Sequence, residues 1–188
     1  MYSALVTGSS GYIGSHLVKE LKDFKVTELH HKDKIIPHDY DYIFHCAGLN
    51  NRVDLTFREL YEANVELTID ILINFKPKEK FIFVATSDDQ FKNNYAFTKN
   101  WAEQFVLFYG GENNISVLSV RLPKVTDKNI DKIVKDLIEL AKTDIKNQII
   151  QLIWFQLTQE LIYRLGITLF YLLNRNTIKS ILIISSII

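Results

Sequence analysis

Ser3-Ala4-Leu5-Val6-Thr7-Gly8-Ser9-Ser10-Gly11-Tyr12-Ile13-Gly14 is the stretch on which the fold turns. Ser3 to Val6 is short and mostly apolar, which predicts a buried strand. Beyond it, Ile13, Leu17 and Leu21 recur every four residues, the spacing of a helix. The glycines therefore lie where a strand ends and a helix begins. Glycine permits a tight turn and lets the backbone approach a ligand closely. The helix N-terminus offers free N–H groups and partial positive charge to a phosphate. A dinucleotide pyrophosphate site follows, assigned to Gly8, Ser10, Gly11, Tyr12, Ile13 and Gly14. The spacing is G-x-x-G-x-x-G rather than G-x-G-x-x-G, so its position between strand and helix carries the argument. The competing reading is a glycine turn kept for packing.

The bulk numbers narrow the field. A chain of 188 residues suits one domain with a core, or one domain and an appendage. Its 22 basic and 22 acidic residues leave no net charge and no basic stripe, so nucleic acid is not an expected partner. The single cysteine, Cys46, excludes an internal disulfide and suits a reducing compartment. No secretory leader pattern opens the chain, and a cytoplasmic protein is expected.

Lys25 to Leu29 reads as the second strand, after a first helix near Ile13 to Lys22. In a dinucleotide fold the end of this strand faces the adenosine ribose, where an acid suits a 2′-hydroxyl and a base suits a 2′-phosphate. His30, His31 and Lys32 stand there, flanked by Glu28 and Asp33. This tilts the reading towards the phosphorylated cofactor and makes His30 a cofactor candidate, with NAD and NADP both open. The other reading is an ordinary solvated loop. His30, His31 and His38 lack the cysteine or carboxylates that would complete a metal site, and none is assigned.

Tyr42 to His45 reads as the next strand, with Cys46-Ala47-Gly48 as a small-residue turn. Ala47 and Gly48 would let a cofactor lie across the strand end. Only twelve residues separate Leu29 from Tyr42, barely enough for a crossover with a helix, so a strand-and-helix unit is missing or shrunken here. His45 reads as a structural residue at a buried strand end. Leu60 to Phe75 reads as a long helix carrying Asn64, which would need partners if buried. Phe81 to Ala85 is an unbroken apolar run, the mark of a central parallel strand. It ends in Thr86-Ser87, where ligands of open α/β sheets bind. A helix through Tyr95, Lys99, Trp101 and Phe105 stops at Gly110-Gly111. Ile115 to Arg121 reads as a further strand and Ile130 to Ala141 as an amphipathic helix.

Tyr95 and Lys99, four residues apart, would share one helical face beside Thr86 and Ser87. A tyrosine in water titrates at about pH 10, and a neighbouring ammonium would lower that value. Tyr95 could then exchange a proton with a substrate carbonyl or hydroxyl, with Thr86 or Ser87 bonding the same oxygen. A nicotinamide anchored through the glycine turn would exchange hydride with the adjacent carbon.

Taken in order, Thr7-Gly8-x-x-Gly11-x-x-Gly14, His45-Cys46-Ala47-Gly48, Asn64-Val65, the Thr86-Ser87 strand end, Tyr95-x-x-x-Lys99 and Arg121-Leu122-Pro123 resemble the extended short-chain dehydrogenase/reductase family, the NAD(P)-dependent epimerases, dehydratases and reductases of nucleotide sugars. The resemblance implies an α/β fold: a Rossmann-type doubly wound parallel sheet, here reduced between the second and fourth strands. It implies Tyr95 as acid/base, Lys99 on the nicotinamide ribose and tuning Tyr95, Thr86 or Ser87 on the substrate oxygen, and a nucleotide-sugar substrate. The short Leu29–Tyr42 link, the eight-position step from Ser87 to Tyr95 and the Ala47-Gly48-Leu49-Asn50 turn resemble the reductase half of bifunctional capsular polysaccharide enzymes.

The resemblance covers residues 1 to 126, read as the NAD(P)-binding domain. Residues 127–188 are read as a helical, atypical or truncated substrate region. Within them, residues 145–188 hold twelve isoleucines, no proline and one glycine. No apolar run there reaches the roughly twenty residues of a membrane span. The apolar tail is open to three readings: a small helical lobe or homo-oligomer contact, a membrane-surface element, or the product of a truncated or shifted reading frame. The alternative to catalysis is a dinucleotide-binding protein or remnant without activity.

Overall fold

The strands alternate strictly between two apolar faces. Ala4 and Val6 of β1 (Tyr2–Thr7) point to one side and Leu5 to the other. Phe44 and Ile43 of β3 (Tyr42–His45) divide in the same way, as do Ile82 and Val84 against Phe81, Phe83 and Ala85 of β4 (Lys80–Thr86). Such strands must be covered on both faces. The computed structural model describes residues 1–30, 33, 38–50, 54–88, 92–145, 148–153 and 181–185. In it, α1 (Tyr12–Glu20) and α5 (Ile130–Ala141) cover the first face. The second is covered by α4 (Asn94–Glu112) and by a continuous helical stretch of α2 (Phe57–Tyr61), a π-helical turn (Glu62–Glu66) and α3 (Leu67–Asn74). A capping box between Thr56 and Glu59 starts α2, so this helix begins three residues before the expected Leu60.

All strands are parallel, in the order β2-β1-β3-β4-β5-β6-β7, with β2 at Phe24–Leu29 and β5 at Val117–Leu122. Among the described residues β2 is an edge strand with no strand beyond it, in keeping with a unit missing or shrunken in the short Leu29–Tyr42 link. β1 sends its chain outward to β2, and the sheet then grows from its other side through β3. That reversal opens a crevice between the carboxyl ends of β1 and β3, where open α/β sheets bind ligands.

The tail requires a correction. Residues 148–153 form a strand, β6 (Gln148–Ile153), and residues 181–185 another, β7 (Ile181–Ser185), where a helical segment was expected. β6 pairs with β5 from Leu118↔Gln148 to Arg121↔Gln151, and its Ile150 and Leu152 are buried on the α5 face. Isoleucine-rich sequence favours strands, and the open edge of β5 supplies the partner. The stretch between β6 and β7, which includes the apolar run Ile167 to Leu173, lies outside the described residues. Among the described residues, no helix is long and apolar enough to cross a membrane, and no cluster of three or more His, Cys, Asp or Glu could hold a metal.

Candidate active site

At the end of β1, Gly8 has φ +68°, and a Cβ there would lie 2.7 Å from the Ala47 backbone. Both conditions demand glycine. Its carbonyl accepts from Gly11 N–H at 2.9 Å and faces Gly14, where a Cβ would strike that oxygen at 2.2 Å. The turn therefore packs strand end, helix start and the β3 turn into near backbone contact. Gly11 caps α1 without any side-chain acceptor, and the first turn holds no acid, so the helix N-terminus presents its N–H groups uncompensated. Ser10 is exposed at the tip, and Ile13 packs on the core. The Tyr12 hydroxyl donates to the Asp127 carboxylate, which leaves its main chain to face the turn; this bond and burial raise the Tyr12 pKa.

His30, just past β2, bonds Ser9 Oγ at 3.2 Å through Nδ1, and its main-chain N–H donates to the Asp33 carboxylate at 2.7 Å. The structure thus brings His30 to the glycine turn. His31 and Lys32 lie outside the described residues.

Across the crevice, Gly48 has φ +145°, and a Cβ there would sit 2.6 Å from Asn64 Oδ1. Asn64 is fully buried in the π-helical turn. Its Oδ1 accepts from Leu49 N–H at 2.8 Å, and its Nδ2 donates to the Leu49 carbonyl at 3.1 Å and to Thr98 Oγ1 at 3.0 Å. The expected buried Asn does tie its helix to neighbouring backbone. The wider helical turn that aims it has no signal in the sequence.

Asn93 caps α4 through Ala96 N–H at 2.8 Å, which starts the helix one residue before Tyr95. Tyr95 and Lys99 thus stand one turn apart beside the end of β4. Thr86 is the side chain whose hydroxyl acts on the Tyr95 phenol, and its Oγ1 accepts from Asp88 N–H at 3.2 Å. Ser87 is exposed, with its N–H on the Leu122 carbonyl at 3.1 Å. Thr86, not Ser87, meets the tyrosine.

One electrostatic expectation is reversed. Burial raises the Tyr95 pKa, Asp88 adds to the effect, the Thr86 bond opposes it, and Lys99 is not among the groups that act on it. The reason is where the ammonium goes. Lys99 is only 6% exposed, and its Nζ lies 4.3 Å from the centre of the Phe83 ring, next to Gly48. Burial lowers its pKa to about 8. Among the described residues it makes no hydrogen bond or ion pair. Cys46, beside it, is pushed up to about 12 by burial.

Sequence reasoning missed one buried cluster altogether. Glu103 of α4, fully buried, accepts from Ser119 Oγ at 2.6 Å and from Arg121 Nε and Nη2 at 3.0 and 2.5 Å. Arg121 Nη2 also reaches Asn100 Oδ1 at 3.4 Å. Glu103 lies four residues past Lys99 on the same helix, the only local hint that it faces the sheet.

Many solved structures share this fold, three of which follow. RMD from Pseudomonas aeruginosa, solved with NADPH, is 16% identical, and the match covers 96% of this chain and 87% of that one at a TM-score of 0.70. UDP-N-acetylglucosamine 4-epimerase from Methanobrevibacter ruminantium M1, solved with UDP-N-acetylmuramic acid, is 16% identical over 97% of this chain and 84% of that one, TM-score 0.65. UDP-glucuronic acid 4-epimerase from Bacillus cereus, solved with NAD, is 16% identical over 79% and 76%, TM-score 0.64. At this identity they establish the architecture and no more. No curated protein matches the sequence. The NAD dependent epimerase/dehydratase family, however, matches residues 4–159, from β1 through β6, a span that holds the glycine turn, Asn64, Thr86, Tyr95 and Lys99. Because that match takes in most of the chain, and with it the glycine turn, the crevice and the Tyr–Lys helix, the chain belongs to the NAD dependent epimerase/dehydratase family.

Proposed function

We propose that this chain binds NAD or NADP across the crevice and catalyses an epimerase, dehydratase or reductase step on a nucleotide-linked sugar. The observation that carries the reading is Lys99, a buried ammonium with no hydrogen bond or ion pair among the described residues, held against Gly48 one helical turn from Tyr95. A buried cation is costly unless something compensates it. Ribose hydroxyls lying across Gly48 would do so. The rest of the crevice suits a dinucleotide: Gly8, Gly11 and Gly14 let β1, the start of α1 and the β3 turn pack closely, and the uncapped first turn of α1, with Ser10, Tyr12 and Ile13 around it, would take a pyrophosphate. His30 stands at the adenosine end, and Ala47 and Gly48 form the floor.

When bound, the nicotinamide supplies the hydride chemistry. The chain's own part is the proton. The Tyr95 hydroxyl donates to, or accepts from, the substrate oxygen, and Thr86 shares its hydrogen bond and orients that oxygen. Lys99 orients the cofactor ribose, and its positive charge favours the phenolate once both face the same ligand. In this reading residues 1–126 carry the dinucleotide site, and residues 127–188 contribute to the sugar-nucleotide side.

The test is a nicotinamide-fluorescence titration with NADPH and with NADH, followed by turnover of UDP- and dTDP-linked sugars. Tyr95→Phe is expected to cut turnover by about 10²–10⁴-fold with cofactor affinity unchanged. Undiminished turnover in that variant overturns the catalytic assignment. Tight cofactor binding with no turnover of any sugar nucleotide would leave a binding protein.

A further inference from the structure

Between the glycine turn and α4 runs a chain of buried polar groups for which the proposed mechanism has no use. Its polarity can be worked out. Thr68 Oγ1 lies 2.7 Å from the Asn64 carbonyl, which can only accept, so the Thr68 proton goes there. Thr68 oxygen must then accept from His45 Nε2 at 2.9 Å, which makes His45 the Nε2–H tautomer. Nδ1 of a neutral ring is a bare acceptor, and it takes the Thr7 hydroxyl proton at 2.7 Å. On the far side, Asn64 Nδ2 donates to Thr98 Oγ1 at 3.0 Å, and Thr98 donates to the Tyr95 carbonyl at 3.0 Å. Each hydroxyl proton is used once, and no link is left open. Thr7, His45, Asn64, Thr68 and Thr98 are all at most 2% exposed.

We propose that His45 is a positioning residue, which through this directed chain fixes the glycine turn after Thr7 relative to the helix that carries Tyr95 and Lys99. The ring stacks on Phe83, with centroids 5.8 Å apart, and lies tilted against Phe81 at 5.9 Å. The charged group that acts on it is Lys99 of α4, and that cation together with burial keeps the imidazole neutral. A protonated ring would donate at both nitrogens and oppose the Thr7 hydroxyl, so neutrality is what closes the chain. The consequence is a set distance between the two halves of the dinucleotide site. This rests on the dinucleotide reading above.

The experiment compares NADPH binding by the wild type, His45→Phe, Thr68→Val and, as a control of similar stability cost in the opposite core, Leu137→Ala. All are measured where circular dichroism shows full folding. The expected result is a Kd raised about tenfold or more in His45→Phe and Thr68→Val, as for a buried hydrogen-bonding group left unpaired, and unchanged in Leu137→Ala. Equal affinities in all four overturn the proposal. Should His45→Phe not fold, the isosteric Thr68→Val carries the comparison. If the wild type binds neither NADPH nor NADH, the dinucleotide reading has failed, and amide NMR decides the positioning claim separately. Thr68→Val is then expected to shift the amides of both Gly8 and Tyr95, and shifts on one side of Thr68 alone overturn the chain.

Discussion

The two faces of the sheet are built to different rules. Under α1 and α5 the core is apolar from Val6, Leu17 and Phe44 to Val120, Val134 and Leu137, with a buried lysine at its rim, Lys80, whose ammonium donates to the Leu140 and Thr143 carbonyls at the end of α5. Under α3 and α4 the same strands meet a core threaded by His45, Asn64, Thr68, Thr98, Lys99, Glu103 and Ser119, all buried. Burial of apolar surface stabilises without conditions, whereas each buried polar group must find partners or destabilise. On the α4 face nearly every one does, and the exception is Lys99. The first face holds the molecule together; the second gives up some stability to hold a reactive arrangement in place.

The difference between the faces can be broken experimentally. Leu137→Ala, on the apolar face, is expected to cost about 2–5 kcal/mol by chemical denaturation and to leave cofactor binding intact. Glu103→Gln, on the polar face, is expected to cost about 3 kcal/mol, because Arg121 loses its charged partner while remaining three-quarters buried. Cofactor affinity should fall with it only if α4 shifts. A smaller loss than for an exposed pair would show that the Glu103 cluster is dispensable.

Lys99→Met has the opposite sign. The lysine pKa falls from 10.5 to about 8 on folding, so the native state holds the proton less well than the unfolded state. Below pH 8 both states are protonated and the native state bears the full penalty; between pH 8 and 10.5 it is relieved. The variant is therefore expected to be more stable than the wild type by about 2–3 kcal/mol at neutral pH, with the gain fading as pH rises through that window, and to lose cofactor binding. A destabilised Lys99→Met would mean that the ammonium has a structural partner.

The effect that vanishes at neutral pH is a slope. His45 falls from 6.5 to about 3 on folding. Above pH 6.5 the ring is neutral in both states. Below it, the unfolded state takes up a proton that the native state refuses, so stability declines towards pH 3 by at most about 1.4 kcal/mol per pH unit. Calorimetric melting across this range is expected to show that limb in the wild type and a flatter one in His45→Phe. Parallel limbs would remove His45 from the account.

Much of this was legible in the chain itself. The glycine turn, the central strand Phe81 to Ala85, the short Leu29–Tyr42 link and the Tyr95–Lys99 pair are local patterns, and local patterns survive without tertiary information. Asn64 as a tie between helix and backbone was legible too, because a buried amide must be satisfied. In the tail, residues 148–153 and 181–185 are strands where helix was expected: an apolar run of that length fits either, and the open edge of β5 selects the strand for the first.

By itself, then, the sequence determined the order of strands and helices from β1 through α5, the place of the crevice and the residue types near it, since periodicity and glycine spacing are set by covalent neighbours. Only the tertiary structure decided the charges and directions within it. Whether Lys99 lowers Tyr95 or lies over Phe83, whether Thr86 or Ser87 meets the phenol, and which nitrogen of His45 holds the proton depend on groups far apart in the chain. Electrostatics and hydrogen-bond polarity are properties of the assembled surroundings, so no single stretch of sequence contains them.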